Sequence, residues 1–331
     1  MTPSSLGTPV LISLQPLIKI LNPAALSLLV DKGRLGGQRQ GVCASGPMDS
    51  FAFNLCISLL GLPDSIAIEV CGDGFELQSL VPMTICVTGG SGRCSVNGMA
   101  KPMWSVLSLK SNDILRIESS GSGYRYYVGF SAQLKSCEAY GSYSTVMRER
   151  VGGLLGNGMP LSLGDEIEGV VTNPSVNRLS CQQRLILKQL LKNVYRPRNI
   201  SVIPGSQFEQ FGKIAWHRLL SSEYQIDQHS NRMGIRLNGS SVSDKDVAMR
   251  SEGLTMGSIQ IPANGQPIVL MSDRQTLGGY PKIANVAMVD LSYLSQQKPG
   301  ATVTFTEVDL ESARNQWRLR EEMKNKLRIP L

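Results

Sequence analysis

Ser272-Asp-Arg-Gln-Thr-Leu-Gly-Gly-Tyr-Pro-Lys282 sits between the apolar run at residues 267–271 and the apolar run at 283–289. Short apolar runs bounded by Gly and Pro read as strands, so this stretch is a loop carried by two strands. It holds an acid, a guanidinium, a carboxamide, a hydroxyl, two glycines, a phenol and an amine in one connection. Glycines such as Gly278 and Gly279 let backbone N–H groups approach a small polar ligand closely. Asp273 can take a proton or hold an amide N–H, while Gln275, Thr276 and Lys282 can bind oxygens. The plainer reading is a polar connecting loop. A site is favoured because function concentrates in dense polar loops on rigid strands.

Working outward, strand-like runs dominate. They are expected over residues 11–20, 66–71, 83–88, 105–109, 114–118 and 124–130, and again over 200–203, 259–262 and 302–308. Asn97-Gly98 is a hairpin dipeptide, and Gly89-Gly90-Ser91-Gly92 also reads as a hairpin turn. Helices are expected over 48–60, ending at Gly61, and from Ser180 to Asn193. A third follows the Ser206-Gln-Phe-Glu209 capping box to about Leu219. A C-terminal amphipathic helix over 309–327 places Leu310, Ala313, Trp317 and Leu327 on one stripe and is expected to dock on its own chain. The polar, basic stretch 172–198 follows a Gly-rich segment and precedes new strands, which marks a boundary. The chain therefore reads as mainly β with a few helices: a barrel over 1–175, a helical connector over 176–198, a second barrel over 199–308 and a helix over 309–331.

Composition removes several classes. The net charge is +7, but the basic residues concentrate in 178–198 and 314–328, which look like helix faces or linkers. That pattern favours a solvated surface or an acidic partner over nucleic acid. Seven cysteines without a CxxC pair read as free thiols of a reducing compartment, and two histidines leave no basis for a zinc site, so no metal is expected. Residues 1–9 carry no Lys or Arg, and no uninterrupted apolar span is long enough for a bilayer, so a cytoplasmic protein is expected. No phosphate-binding G-x-x-x-x-G-K-[ST] loop, G-x-S-x-G elbow or biotin-attachment sequence occurs.

Two further stretches combine glycine with charge. In Asp31-Lys-Gly-Arg34 and Gly41-Val-Cys-Ala-Ser-Gly-Pro-Met-Asp49, Arg34 can anchor a carboxylate or fix the loop. Asp49 stands at a helix N-cap, so capping and catalysis are equal readings. In Ser230-Asn-Arg-Met-Gly234, leading to Arg236, the guanidiniums suit a carboxylate or phosphate, or a surface salt bridge.

Gly33-Arg34, Ser45-Gly-Pro-Met-Asp49, Asn231-Arg-Met-Gly234, Ser251-Glu-Gly253, Gly257-Ser-Ile-Gln260 and Asp273-Arg-Gln-Thr-Leu-Gly-Gly-Tyr-Pro-Lys282 resemble the carboxyltransferase-domain family. That family includes the C subunit of 5-oxoprolinase, an antagonist of a sporulation kinase inhibitor, the so-called allophanate hydrolase subunit 2, and the carboxyltransferase part of urea carboxylase. The resemblance implies two cyclophilin-like β-barrels and a smaller, B-like partner protein of related fold in a hetero-oligomer, joined in 5-oxoprolinase by a third, A-like partner. The implied activity opens 5-oxoproline to glutamate at the expense of ATP, which the complex uses and this chain is not expected to bind by itself. Alternatives are biotin-dependent carboxyl transfer to urea or another amide, and a non-enzymatic antagonist of a kinase inhibitor. On this resemblance Asp273, Lys282 and Asp49 are the candidate catalytic residues. Arg34, Arg232, Gln260, Gln275, Thr276, Gly278, Gly279 and Tyr280 are the candidate substrate-binding residues. The chain departs from the family pattern at Val30, Tyr143 and Ser206.

Overall fold

Strand Arg125–Phe130 is buried along its whole length and pairs antiparallel with Ala67–Cys71 on one side and Met83–Gly89 on the other. Its sequence, RYYVGF, is aromatic and β-branched, as a strand covered on both faces requires. Strands Leu26–Val30 and Ser105–Leu109 complete a five-stranded sheet around it. A seven-stranded sheet faces it, in the order Ala132–Leu134, Glu166–Val171, Gln15–Asn22, Phe75–Ser79, Ile114–Ser119, Gly92–Val96, Met99–Lys101. Here the pattern alternates: Phe75 and Leu77 turn inward while Glu76 and Gln78 are partly exposed. Ile18, Phe75, Leu77, Ile85, Val87, Leu115, Tyr126 and Val128 fill the space between the sheets. These features come from a computed structural model that describes residues 14–121, 123–243 and 249–329.

Helix α1 (Ser50–Leu60) covers the outer face of the five-stranded sheet. It approaches so closely that a Cβ at Gly129 would lie 2.8 Å from Leu60 Cδ1 and 2.9 Å from Cys56 Sγ. Helix α2 (Cys181–Tyr195) follows, with a capping box formed by Ser180 and Gln183. The second barrel is an eight-stranded sheet. Its order is Thr302–Val303, Tyr224–Ile226, Gly234–Gly239, Ile268–Leu270, Ser258–Gln260, Lys282–Val286, Ile200–Pro204, Phe305–Glu307. Its two edge strands, Thr302–Val303 and Phe305–Glu307, are successive parts of one stretch, so the sheet nearly closes on itself. Helix α3 (Phe208–Ser221) sets Phe211, Trp216 and Leu219 against its core. Helices α4 (Met288–Ser295) and α5 (Leu310–Asn325) pack on α2 and on each other. No helix among the described residues is long and apolar enough to cross a membrane.

Several sequence expectations need correction. The strand expected over 283–289 stops at Val286, and α4 begins at Met288 in a run whose apolar residues carry no clear period. The Ser206–Glu209 capping box does not form: Gln207 is the N-cap of α3 without a side-chain cap bond, and Gly212 interrupts the helix at φ 79°. Gly89–Gly92 is no hairpin, because the strands it joins belong to different sheets. Asn97-Gly98 is one, with both residues at positive φ (50° and 76°). Leu310 is half exposed and leaves the expected α5 stripe. Residues 11–13 of the expected first strand lie outside the described residues, and the strand itself runs Gln15–Asn22.

Asp49 joins three helices. Its carboxylate accepts from the Ala52 N–H of α1 at 3.1 Å, the Tyr195 hydroxyl of α2 at 2.7 Å and the Gln296 amide, just past α4, at 2.8 Å. The Gln296 oxygen in turn accepts from the N–H groups of Tyr124 and Arg125 at 3.0 and 2.9 Å. Asp49→Ala removes a cap and strands two buried donors. An unfolding free energy lower by about 2–4 kcal/mol is expected in urea denaturation, with Asp49→Asn retaining most of the loss.

Candidate functional site

The Ser45-Gly-Pro-Met-Asp49 stretch is folded against the second barrel by its own backbone. Gly33 and Gly46 both take positive φ (90° and 87°), and a Cβ at Gly33 would meet Ala44 O at 2.8 Å. The turn delivers the Ser45 hydroxyl and Gly46 carbonyl to the Asn231-Arg-Met-Gly234 turn. There the Arg232 guanidinium, 5% exposed, donates through Nε to Asp273 Oδ2 at 2.9 Å and through Nη2 to Asp273 Oδ1 at 3.0 Å. Nη2 also donates to Gly46 O at 2.5 Å, and Nη1 pairs with Glu69 Oε1. Ser45 Oγ donates to Asp273 Oδ1 at 2.7 Å. Glu69 lies in strand Ala67–Cys71 and accepts from the Met48 N–H at 2.9 Å and the Tyr127 hydroxyl at 2.8 Å. A cation of the second barrel thus binds an acid from each barrel.

Electrostatics follow from this geometry. Burial pushes the Glu69 carboxyl up, but Arg232 and then Arg125 outweigh burial and hold it below its ordinary 4.5. Burial works against the charged Arg232 as well, and Asp273 and Glu69 overcome it, so its pKa rises.

The rest of the 272–282 loop faces elsewhere. Leu277–Gly278 pairs with Glu252–Gly253 as a two-stranded ribbon. The Lys282 ammonium pairs with Glu252 and donates to Gly253 O at 3.3 Å, while its backbone N–H donates to Gln207 Oε1 at 3.0 Å. Gly278 is needed for packing: a Cβ there would lie 3.1 Å from Gln275 Nε2 and 3.2 Å from Gln260 Nε2. The two carboxamides therefore converge, and they line a cavity of about 220 Å³ with Asn231, Arg236, Arg274 and Tyr280. Asn231, Arg236 and Tyr280 also border an adjoining open space of about 780 Å³.

The candidate residues accordingly separate. Gln260, Gln275 and Tyr280 come together at the cavity, with Gly278 beneath the carboxamides; Thr276 is half-buried and Gly279 exposed, and neither lines the cavity. Arg232, read as a carboxylate anchor, is committed to Glu69 and Asp273 instead. Asp49 is fully buried and takes the capping reading. Arg34 takes the loop-fixing reading: it donates to Ala139 O at 3.0 Å and Ser144 O at 2.6 Å, beside Asp31, which accepts from Ser142 and Ser144. Tyr143 packs against the first barrel's core. Sequence reasoning assigned no role to Glu69, Gln207, Glu252 or Arg274. A lone acid within the apolar run 66–71 was the available signal for Glu69.

Comparison with known proteins decides the family. The profile described as carboxyltransferase domain, subdomain A and B, matches residues 40–307. The chain belongs to this carboxyltransferase-domain family. It is 32% identical to the C subunit of 5-oxoprolinase from Haemophilus influenzae over 90% of its own length and 93% of the relative's. It is 29% identical to the protein of that name from Escherichia coli strain K12, with the same coverage. It is 28% identical to "Urea amidolyase" of Saccharomyces cerevisiae, but spans only 17% of that protein. Among solved structures, K. lactis urea amidolyase superposes with TM-score 0.81 at 25% identity, covering 95% of this chain and 20% of that one. Within the motifs named from the sequence, Ser45, Gly46, Arg232 and Asp273 thus tie the barrels together, while Asn231, Gln260, Gln275 and Tyr280 line the cavity.

Removing the Arg232 guanidinium should cost about 3–5 kcal/mol in Arg232→Met, because two buried carboxylates lose their partner. Arg232→Lys should recover little, since one ammonium cannot reproduce the fork. Glu69, depressed in the folded state, contributes fully above its ordinary 4.5 and loses that contribution as pH falls through this range and below. Urea unfolding at a series of pH values should show a weaker acid dependence in Glu69→Gln than in the wild type.

Proposed function

We propose that this chain is the C subunit of an ATP-dependent 5-oxoprolinase, which opens the lactam of 5-oxoproline to glutamate and in which this chain alone is inactive. The similarity to two proteins named as C subunits of 5-oxoprolinase, over nearly the full length of both chains, carries this reading. Amide resonance makes the lactam a weak electrophile, so coupling to ATP is part of the proposal, at the level of the complex. The cavity supports it: Gln260 and Gln275 offer donors and acceptors to a cyclic amide's C=O and N–H, in a space smaller than the roughly 300–1,000 Å³ of drug-sized pockets. In this reading Asp273 is a positioning residue, held by Arg232 and Ser45, and Lys282 acts through its pairing with Glu252.

Carboxyl transfer to an amide is the second reading, favoured by the urea amidolyase superposition. It requires a biotin-carrying partner, whereas the first requires a smaller B-like partner together with an A-like one.

Co-expression with those two partners, followed by an assay of 5-oxoproline-dependent ATP hydrolysis, separates them. Turnover that appears only when this chain is present is the expected result. A stable complex without such turnover, or turnover in this chain's absence, overturns the proposal.

A further inference from the structure

Arg236 and Arg274 stand out among the residues of the cavity because no carboxylate answers them. Neither makes an ion pair among the described residues. Arg274 is half-buried, and its guanidinium reaches only two backbone carbonyls, Leu254 O at 3.3 Å through Nε and Met271 O at 3.4 Å through Nη1. Burial lowers its pKa, the Cys43 thiol works against this without overcoming it, and no carboxylate contributes. Arg236 is exposed and borders both the 220 Å³ cavity and the 780 Å³ space, which places it at the mouth. The acid of that outer space, Asp227, already accepts from the His229 backbone N–H at 2.7 Å and from Asn238 Nδ2 at 2.6 Å. Ile268 and Leu270 supply an apolar side to the cavity.

A planar fork without an anion, two convergent carboxamides and an apolar wall define a ligand by chemistry. We infer that this cavity holds a small carboxylate bearing an amide in the same ring, with Arg274 and Arg236 gripping the carboxylate and Gln260 and Gln275 reading the amide. The identity of that ligand as 5-oxoproline rests on the proposed function. The fork geometry of arginine suits a carboxylate's two oxygens, and the apolar wall suits the ring's methylene edge.

The test is calorimetric titration of the full-length chain with L-5-oxoproline and with 2-pyrrolidinone, the same lactam without its carboxylate. L-5-oxoproline should bind more tightly than 2-pyrrolidinone. Arg274→Met and Arg236→Gln should each weaken L-5-oxoproline about tenfold or more, the scale of losing a charge-assisted hydrogen bond, and leave 2-pyrrolidinone unaffected. Thermal melts matching the wild type show that the variants fold; if Arg274→Met does not, Arg236→Gln and Gln275→Leu carry the test. Equal binding of the two lactams, unaltered binding in the folded variants, or no binding of L-5-oxoproline to the wild type overturns the inference. In the assembled complex, a raised KM for 5-oxoproline in Arg274→Met supports it. An unchanged KM sinks the site assignment alone, whereas a wild-type complex without 5-oxoproline-dependent ATP hydrolysis sinks the function instead.

Discussion

A single guanidinium, that of Arg232, holds the two barrels in register. It is buried, it belongs to the second barrel, and it binds Glu69 of the first barrel as well as Asp273 of its own. Burying three charges is expensive, and Coulomb attraction offsets the cost only when every remaining donor and acceptor is satisfied. Here Ser45, Gly46, Met48 and Tyr127 do that, and all four come from the first barrel. The arrangement is therefore specific to one docking of the halves. A rotated interface would leave the buried Glu69 carboxylate without its cation.

That requirement explains the glycines and the proline around Ser45. The turn must bring a carbonyl and a hydroxyl to the guanidinium without side-chain bulk, and Gly33 and Gly46 meet back to back to allow it. A second contact, joined to the first through the Tyr127 hydroxyl, does the same service. The Gln296 amide occupies the place of a strand partner for Tyr124 and Arg125 and closes on Asp49, so α4 is tied to the first barrel through ordinary amide hydrogen bonds.

Much of this fold is legible in the sequence because its strands are short, β-branched and bounded by glycine. RYYVGF at 125–130 and the alternating FELQS at 75–79 each announce their environment. Helix α4 is not legible in that way, since MVDLSYLS is buried over most of its surface and lacks an amphipathic period. The capping box at Ser206 misleads for a different reason: Gln207 is drawn into bonds with Lys282 and Glu252, and these outcompete the local cap. The site is half legible. Residue types mark the 272–282 loop as chemistry, but a linear sequence does not show which charges will find each other. Arg232 and Asp273 resemble ligand-binding groups until Glu69, far away in the chain, is placed beside them.

Neighbours in the loop then take opposite tasks. The Asp273 carboxylate turns into the interface and is fixed there by Arg232 and Ser45, while its backbone N–H donates to Arg232 O at 2.8 Å. With both ends of residue 273 held, the chain direction at Arg274 is set, and Arg274 lines the cavity without an ion pair among the described residues. Gly278 next lets the loop fold back over itself, so that Gln275 and Gln260 meet above it. The ionic contact between the barrels and the polar lining of the cavity are thus one construction, and a loop that loses the first cannot aim the second.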